Sequence, residues 1–352
     1  MPERPPAPAQ ARSLRIPGRM LGLAVLEGGR RQLRREWAGS PIHRALMAHP
    51  RPEGLRSPLK DLRPGGAVAG QRILDGHWQL GGGQLDCGPG GDPWDRPSPS
   101  RRFAAMLHRF DWMRDLLALG EPGEAEGLRL VMDWRRVFGT WNSFSWAPDL
   151  LERRVFNLAL AAGHIGVRAS EAESAQVSLD LIRQARHLLA VIDGPVRACE
   201  RACAAALAGT ALAGPAADKL TAKALGKLAR TLPVTVEPDG GHASRNPRAA
   251  LELLLDLKTL DEALVQRGLS APEEVLRAID RLAGAVRFFT LQDGALPDFN
   301  GGEAGRPSYV AAARASQPSA GRTPAARNGY HRLDAHPAGD GGARWRARLA
   351  QS

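Results

Sequence analysis

Residues 101–120 read RRFAAMLHRFDWMRDLLALG, and their large apolar side chains recur at steps of three and four residues. Such spacing places apolar groups along one face of an α-helix. The glycine at position 120 is a typical helix stop signal. We therefore predict one helix over this stretch, with an apolar face that packs against a neighbouring element. The residues of that face are Phe103, Met106, Leu107, Phe110, Met113 and Leu117.

The same helical format recurs along the chain, with few β-branched runs between the segments. Successive helical hairpins of this length form either an open solenoid or an incomplete (α/α) toroid, a ring of antiparallel hairpins. A solenoid requires a residue pattern that repeats at a fixed period, and no such pattern is present. We therefore predict a mainly α fold built as an incomplete (α/α) toroid. The further helical segments are residues 124–141, 147–166, 174–193, 196–214, 217–232, 246–268 and 270–294.

Composition divides the chain into three predicted regions. Residues 1–100 are rich in Pro, Gly and Arg and are expected to be irregular, with short extended segments. Residues 101–310 form the toroid domain, and residues 311–352 are expected to be a disordered basic tail. The net charge of +11 lies in the flanks, with +6 in the first region, zero in the second and +5 in the third.

The charge pattern and the apolar runs exclude several classes of partner. The neutral body lacks the basic stripe with interleaved aromatic residues that is typical of nucleic-acid-binding domains, so no specific nucleic-acid partner is expected. No apolar run approaches the ~18 residues of a membrane span. The three cysteines, Cys87, Cys199 and Cys203, have no metal-ligand spacing, and we predict no metal and no cofactor. The oligomeric state is left open.

The stretch EPDGGHASRNPRAALELLLDL, residues 237–257, crowds polar groups at a helix entrance. One interpretation is structural: Asp239 or Ser244 caps the helix, and His242 is a surface loop residue. The other is functional, because a helix N-terminus favours a bound carboxylate. Arg245 and Asn246 would then hydrogen-bond the carboxylate, while His242 exchanges a proton near neutral pH.

Two further loops carry candidate substrate-binding residues. The Gly-rich segment LQDGALPDFNGGEAG, residues 291–305, contains Asn300 and Glu303, and a solvated loop is the alternative interpretation. The segment FGTWNSFSWAPD, residues 138–149, contains Trp141, Asn142 and Trp146. Tryptophan rings stack well on sugar faces, although aromatic residues beside helices are more often part of a core.

Several long segments in the same order make the chain resemble the bacterial heparinase II/III-like proteins, over residues 70–335. The resemblance implies an N-terminal (α/α) toroid, a C-terminal antiparallel β-sandwich, and cleavage of uronate-containing glycans by β-elimination. It implies that His242 and Asn246 are catalytic, with Arg245 as a carboxylate partner. The segments are LHRFDWMRDL, SFSWAPDLLERRVFN, RQARHLL, EPDGGHASRNPRAALELLLDL and AIDRLAGAVRFFTLQDGALPDFNGGE.

Two features depart from the family pattern. Lyases of this kind place a tyrosine on a later toroid helix, whereas Tyr309 and Tyr330 are the only tyrosines, and we expect neither on such a helix. His242 is then the only base that can be named. Residues 328–335, NGYHRLDA, resemble the first sandwich strand, but the following residues lack strand alternation. We therefore expect a truncated chain that lacks most of the β-sandwich and is inactive if the missing half is needed.

The leading functional hypothesis is a polysaccharide lyase that acts on an acidic, uronate-containing polysaccharide. One alternative is a glycoside hydrolase on the same toroid, which needs two carboxylates roughly 5–10 Å apart, from Asp239, Asp298 and Glu303. The other is a noncatalytic glycan-binding protein. The resemblance implies the cell envelope or periplasm. The cytoplasm is the alternative, because the apolar part of RMLGLAVLEGG, residues 19–29, is too short for a signal peptide.

Overall fold

The computed structural model describes residues 18–190, 197–298, 300–301, 306–315, 326–327 and 329–331. The chain divides into two compact units, residues 1–44 and residues 45–352. Its fold is mainly α, as predicted. The described helices are α1 (Gly18–Gly39), α2 (Pro41–Ala48), α3 (Ala67–Leu74), α4 (Arg101–His108), α5 (Met113–Leu117), α6 (Glu121–Phe138), α7 (Pro148–Gly166), α8 (Glu171–Ala190), α9 (Ala198–Thr210), α10 (Pro215–Thr235), α11 (Pro247–Gln266), α12 (Glu273–Phe289) and α13 (Pro307–Ala315).

The short strands form three antiparallel pairs, β1 with β4, β2 with β3, and β5 with β6. The β2–β3 hairpin lies in the segment expected to be extended. The β5–β6 pair lies within and just before the segment expected to be the first sandwich strand. Residues 332–352, on which the expectation of truncation rests, lie outside the described residues. The strands are β1 (Gly54–Leu55), β2 (His77–Leu80), β3 (Gly83–Asp86), β4 (Leu212–Ala213), β5 (Ala326–Arg327) and β6 (Tyr330–His331).

The first unit corrects one sequence prediction. Residues 1–100 were expected to be irregular, yet α1 is a helix of 22 residues. Its arginines and leucines are good helix formers, and they outweigh the glycines at its centre. None of the described helices combines the length and the hydropathy that a bilayer crossing requires.

The helix predicted over residues 101–120 is broken into α4 and α5. Ser100 caps α4 by accepting the backbone N–H of Phe103 at 3.1 Å. The break comes at Phe110, whose φ of +58° is left-handed and cannot continue the helix. The Nε1–H of Trp112 donates to the carbonyl of Leu107 at 3.0 Å, across the break. The apolar spacing was read correctly, but the ring of Phe110 enters the core from a turn.

The centre of the second unit is α9, every residue of which is buried. It packs against α7, α8, α10 and α11. Seven of its thirteen residues are alanine or glycine, and small side chains of this kind allow neighbouring helices to approach closely. Cys199 and Cys203 lie fully buried on this helix, as expected for small core residues.

A buried ion cluster joins the segment before α3 to two of the long helices. Asp256 on α11 accepts Nη1 of Arg153 on α7 at 2.6 Å and Nη2 of Arg63 at 2.5 Å. Burial alone would raise the pKa of Asp256, but the two guanidinium groups hold it below its ordinary value. The carboxylate of Asp256 is therefore the common acceptor for two buried cations.

Short connections make successive helices from α6 to α12 antiparallel. The α6–α7 loop, the α10–α11 loop and the segment after α12 therefore share one end of the helical layer. Contacts between helices agree with this arrangement. Arg197, at the start of α9, binds Glu152 in the first turns of α7 through distances of 2.7 and 3.0 Å. The candidate site residues that the structure describes fall at this end.

Candidate functional site

The loop between α10 and α11 is a tight turn that directs His242 inward. The backbone N–H of Glu237 donates to the carbonyl of Gly241 at 2.8 Å, and Asp239 accepts the N–H of Gly241 at 2.8 Å. Gly240 has a φ of +89°, which a residue with a Cβ rarely adopts. Val236 and His242 then form an antiparallel bridge. The Pro-Asp-Gly-Gly turn signal is therefore what reverses the chain.

The imidazole of His242 is buried, with 3% of its surface exposed. Its Nδ1 accepts the backbone N–H of Ser244 at 3.1 Å and lies 2.7 Å from the Ser244 hydroxyl. Because Nδ1 is an acceptor, the ring carries its hydrogen on Nε2. Nε2 lies 3.4 Å from Oε1 of Glu200 on α9, which is also buried. The expectation that His242 is a surface loop residue is wrong.

Asn246 is the cap of α11. Its Oδ1 accepts the backbone N–H groups of Arg248 and Ala249 at 2.9 and 3.3 Å. Pro247 follows as the first helical residue, where its missing N–H costs nothing. The sequence interpretation assigned the cap to Asp239 or Ser244, and this was wrong. Nδ2 of Asn246 is directed elsewhere, to the carbonyl of Asn300 at 3.3 Å.

The structure brings the two predicted loops together through Asn300. Its Nδ2 donates to the carbonyl of Arg245 at 2.9 Å and to the hydroxyl of Tyr330 at 2.7 Å. Arg245 and Asn300 both have left-handed backbones, with φ values of +55° and +53°. Such conformations cost a non-glycine residue roughly 1–2 kcal/mol. Reciprocal bonds between the loops hold Arg245, Asn246 and Asn300 in one cluster, in which Arg245 and Asn300 are exposed and Asn246 is half-buried.

The aromatic loop before α7 is at the same end but is part of the core. Trp146 is 5% exposed, its Nε1–H donates to the carbonyl of Phe138 at 3.1 Å, and its ring meets His187 edge to face. Asn142 accepts the N–H groups of Phe144 and Ser145 and so caps the turn. Trp141 is half-buried against the core. The predicted role of Trp146 in sugar stacking is not supported, because neither ring face is exposed.

Of the three carboxylates proposed for a hydrolase, Asp239 and Asp298 lie within the described residues. Glu303 lies outside the described residues. Asp298 is exposed in the segment after α12. The carboxylate of Asp239 is occupied within its own turn. Within the described residues, no group of three His, Cys, Asp or Glu side chains is arranged to hold a metal ion.

A second polar cluster was missed by the sequence reasoning. Arg114 on α5 donates to Oδ1 of Asn157 on α7 at 2.9 Å and to the hydroxyl of Tyr309 at 3.0 Å. Its Nε also donates to Asp61 at 3.2 Å. Tyr309 lies on α13, which packs against α11 and α12. The expectation that neither tyrosine is on a later helix was therefore wrong. The available signal was Asn157, a polar residue within the apolar run of α7 that extends from Val155 to Ala162.

Two buried carboxylates, Glu152 and Glu200, lie near Arg197 at the start of α9. Burial raises the pKa of Glu152, an effect that Arg197 only partly opposes. Burial would lower the pKa of Arg197, but the carboxylates of Glu152 and Glu200 hold it above its ordinary value. Burial of two carboxylates in one region requires such cations. The arrangement fixes the α10–α11 loop to the central helix, and it leaves Arg245 as the exposed cation of the site.

Comparison with known proteins gives one close relative and several structural ones. No protein-family model matches the chain. The chain is 49% identical over 335 residues to FtsZ-localized protein C of Caulobacter vibrioides (strain NA1000 / CB15N). This match covers 95% of the chain but 58% of the relative, so the chain spans little more than half the length of that protein.

Solved structures with similar folds include heparinase III and heparan sulfate lyase HepC. Heparinase III matches with a TM-score of 0.58 and 16% identity, over 76% of this chain and 47% of that one. Heparan sulfate lyase HepC from Pedobacter heparinus matches with a TM-score of 0.50 and 17% identity, over 73% and 44%. At this identity the similarity concerns the fold alone. The predicted fold class is confirmed: the chain has a helical toroid like that of the heparinases.

Proposed function

We propose that this chain is a noncatalytic protein on a polysaccharide-lyase-like fold and that it acts together with FtsZ. The first part rests on the burial and the hydrogen bonding of the imidazole of His242, which is the best candidate base in the sequence. A general base must come within about 3 Å of the proton that it removes. Nδ1 already accepts the backbone N–H of Ser244 at 3.1 Å, and Nε2 is buried inside the fold, 3.4 Å from Oε1 of Glu200.

The second part is supported by sequence similarity. A relative that is 49% identical over 335 residues is named for its localisation by FtsZ. The proposal therefore requires the compartment that contains FtsZ. The sequence left two expected locations, the cytoplasm and the cell envelope. Cell fractionation with FtsZ as the marker decides between them.

The glycan part is tested by incubating the purified chain with heparin, alginate and chondroitin sulfate. Absorbance in the near ultraviolet follows unsaturated uronates, and a heparinase serves as the positive control. We expect no unsaturated product. Product formation that His242→Ala or Asn246→Ala abolishes would replace this proposal with the lyase hypothesis.

The FtsZ part is tested by co-sedimentation with polymerised FtsZ and by imaging a fluorescent fusion in dividing cells. We expect the chain to pellet only when FtsZ is polymerised and to co-localise with it. An even distribution of the fusion, together with no co-sedimentation, would contradict this part. The glycan result is independent of it.

A lyase that cleaves an acidic, uronate-containing glycan is the second candidate. It is favoured by the cluster of Arg245, Asn246 and Asn300 at the end of a heparinase-like toroid. An exposed guanidinium beside a helix N-terminus suits a carboxylate. Binding of an acidic glycan without turnover would leave the noncatalytic interpretation in place. A hydrolase would instead give saturated products.

A further inference from the structure

A small groove lies between the last turns of α10 and the first half of α12. Its volume is about 230 Å³. Leu232, Val236 and Ala278 form an apolar floor, and each is at least 95% buried. Pro233, Glu274, Arg277 and Arg281 form the rim. Neither the lyase-like fold nor the candidate site gives this groove a role.

The size of the groove selects the kind of occupant. Small-molecule sites usually have volumes of about 300–1,000 Å³, so a sugar ring with its substituents is too large to be enclosed here. A groove of this volume suits a single large apolar side chain. Pockets that receive one anchor residue are typical of the centres of peptide and protein interfaces.

The charged side chains on the rim indicate which charge a bound segment should carry. Arg277 meets Glu273 and Glu274 of its own helix at 3.2 and 3.7 Å, in exposed pairs that contribute little. Among the residues that the structure describes, no acidic side chain pairs with Arg281. Arg230 lies one turn before Pro233 on α10, and on the same face of that helix. Two arginines, Arg277 and Arg281, therefore line the groove, and Glu274 is the one acidic residue among its lining side chains.

The last turn of α10, next to the groove, offers further surface to a bound segment. Pro233 has no N–H, so the carbonyl of Ala229 lacks the donor that a helix normally supplies. Val234 follows with 61% of its surface exposed. The exposed side chain of Val234, next to Pro233, offers apolar surface to a second side chain of a bound segment.

We propose that this groove binds a short acidic segment of a partner protein. One large apolar side chain of that segment fills the groove over Ala278, and flanking carboxylates bind Arg281 and Arg277. Guanidinium groups bind carboxylates through paired hydrogen bonds, which gives the segment a direction. This inference is independent of the proposed function, because it rests on a different surface and requires neither FtsZ nor a glycan.

The test uses the full chain and a fluorescently labelled peptide with one leucine flanked on each side by two glutamates. Fluorescence anisotropy should show saturable binding, and Arg281→Glu should weaken it by about tenfold. Lys223→Glu is the matched control, since it makes the same charge change on an exposed position of α10, about 15 Å from Pro233 along the helix. It should leave the affinity within about twofold.

Two further measurements separate the groove from general charge attraction. A peptide with serine in place of leucine should bind at least about tenfold more weakly, because the apolar anchor is lost. Ala278→Leu fills the groove and should also weaken binding, in a variant whose thermal unfolding matches that of the parent chain.

Several results would overturn the proposal. These are no saturable binding, equal losses in Arg281→Glu and Lys223→Glu, or equal affinity for the serine peptide. A concentration-dependent dimer in sedimentation velocity that Arg281→Glu disrupts would identify a second copy of the chain as the occupant. Displacement of the peptide by heparin in the parent chain, together with loss of heparin binding in Arg281→Glu, would identify a glycan.

Discussion

Nε2 of His242 lies 3.4 Å from Oε1 of Glu200, and both side chains are buried between the α10–α11 loop and the central helix α9. The contact joins residues 42 positions apart in the sequence. It anchors the α10–α11 loop, whose sequence is polar, to the interior of the fold. The side chain that the sequence favoured as a base therefore holds the loop in place.

We expect His242→Ala to destabilise the chain by about 2 kcal/mol. The change removes the acceptor for the N–H and hydroxyl of Ser244 and leaves a cavity facing Glu200. Urea unfolding followed by circular dichroism measures the effect. Ser244→Ala is the matched control and should cost less, since its side chain is exposed. An unchanged unfolding free energy in His242→Ala would show that the imidazole is not structural.

Asp256→Ala should have the largest effect of the variants considered. Without the carboxylate, Arg63 and Arg153 are left as buried cations, which costs about 3–5 kcal/mol. Chemical unfolding of the parent and the variant gives the difference directly. Glu273→Ala removes the exposed partner of Arg277 and should change stability by less than about 1 kcal/mol. Equal losses in the two variants would contradict the assignment of a buried cluster.

Stability should fall as the pH falls below about 6.5, in part because of His108. Burial, reinforced by the charge of Arg154, lowers the pKa of His108 to about 3, and its Nδ1 accepts the Nε1–H of Trp134 at 3.0 Å. The unfolded chain therefore binds a proton that the folded chain does not, so stability is present above the unfolded pKa and is lost toward pH 3.

The contribution of His108 is isolated with His108→Asn, which retains an acceptor near the position of Nδ1. Between pH 7 and pH 4.5, the loss of unfolding free energy should be about 3 kcal/mol smaller in the variant than in the parent. Urea unfolding at the two pH values measures it. The same pH dependence in both proteins would mean that His108 titrates normally when folded.

Asn246→Ala tests whether this residue is a cap. Loss of the acceptor for Arg248 and Ala249 should cost about 1 kcal/mol of stability, whereas Asn246→Asp should retain most of it. Thermal unfolding of both variants is the measurement. If alanine were neutral, Asn246 would be free for a ligand and the capping role would be wrong.

Tyr309→Phe tests the cluster that the sequence did not reveal. It removes the acceptor for Nη1 of Arg114, whose other nitrogens bind Asp61 and Asn157, and should cost about 1–2 kcal/mol. Tyr330→Phe removes a hydroxyl that accepts from the exposed Asn300 and should cost less. Urea unfolding of the two variants gives the comparison, and the reverse order would contradict the burial of the Arg114 cluster.

Local pattern was sufficient for much of the helical architecture. The three- and four-residue spacing of apolar side chains located the long helices, because one buried face is imposed by the helical period itself. Pro-Asp-Gly-Gly marked the turn before α11, and Pro247 marked its first residue. The same reasoning joined residues 101–120 into one helix, since spacing alone does not show that Phe110 has a left-handed backbone.

The sequence by itself determined the long helices from α6 to α12, their order and the loops that hold the candidate residues, but neither α1 nor the break between α4 and α5. Only the tertiary structure decided which polar groups became interior. Arg63 reaches Asp256 across 193 positions, and Arg114 reaches Tyr309 across 195. The apolar period of a sequence shows which residues share one face of a helix. A buried charge is stable only beside partners from other elements, and only the packing of those elements supplies them. His242 lies inside the fold beside Glu200, whereas Arg245 is exposed.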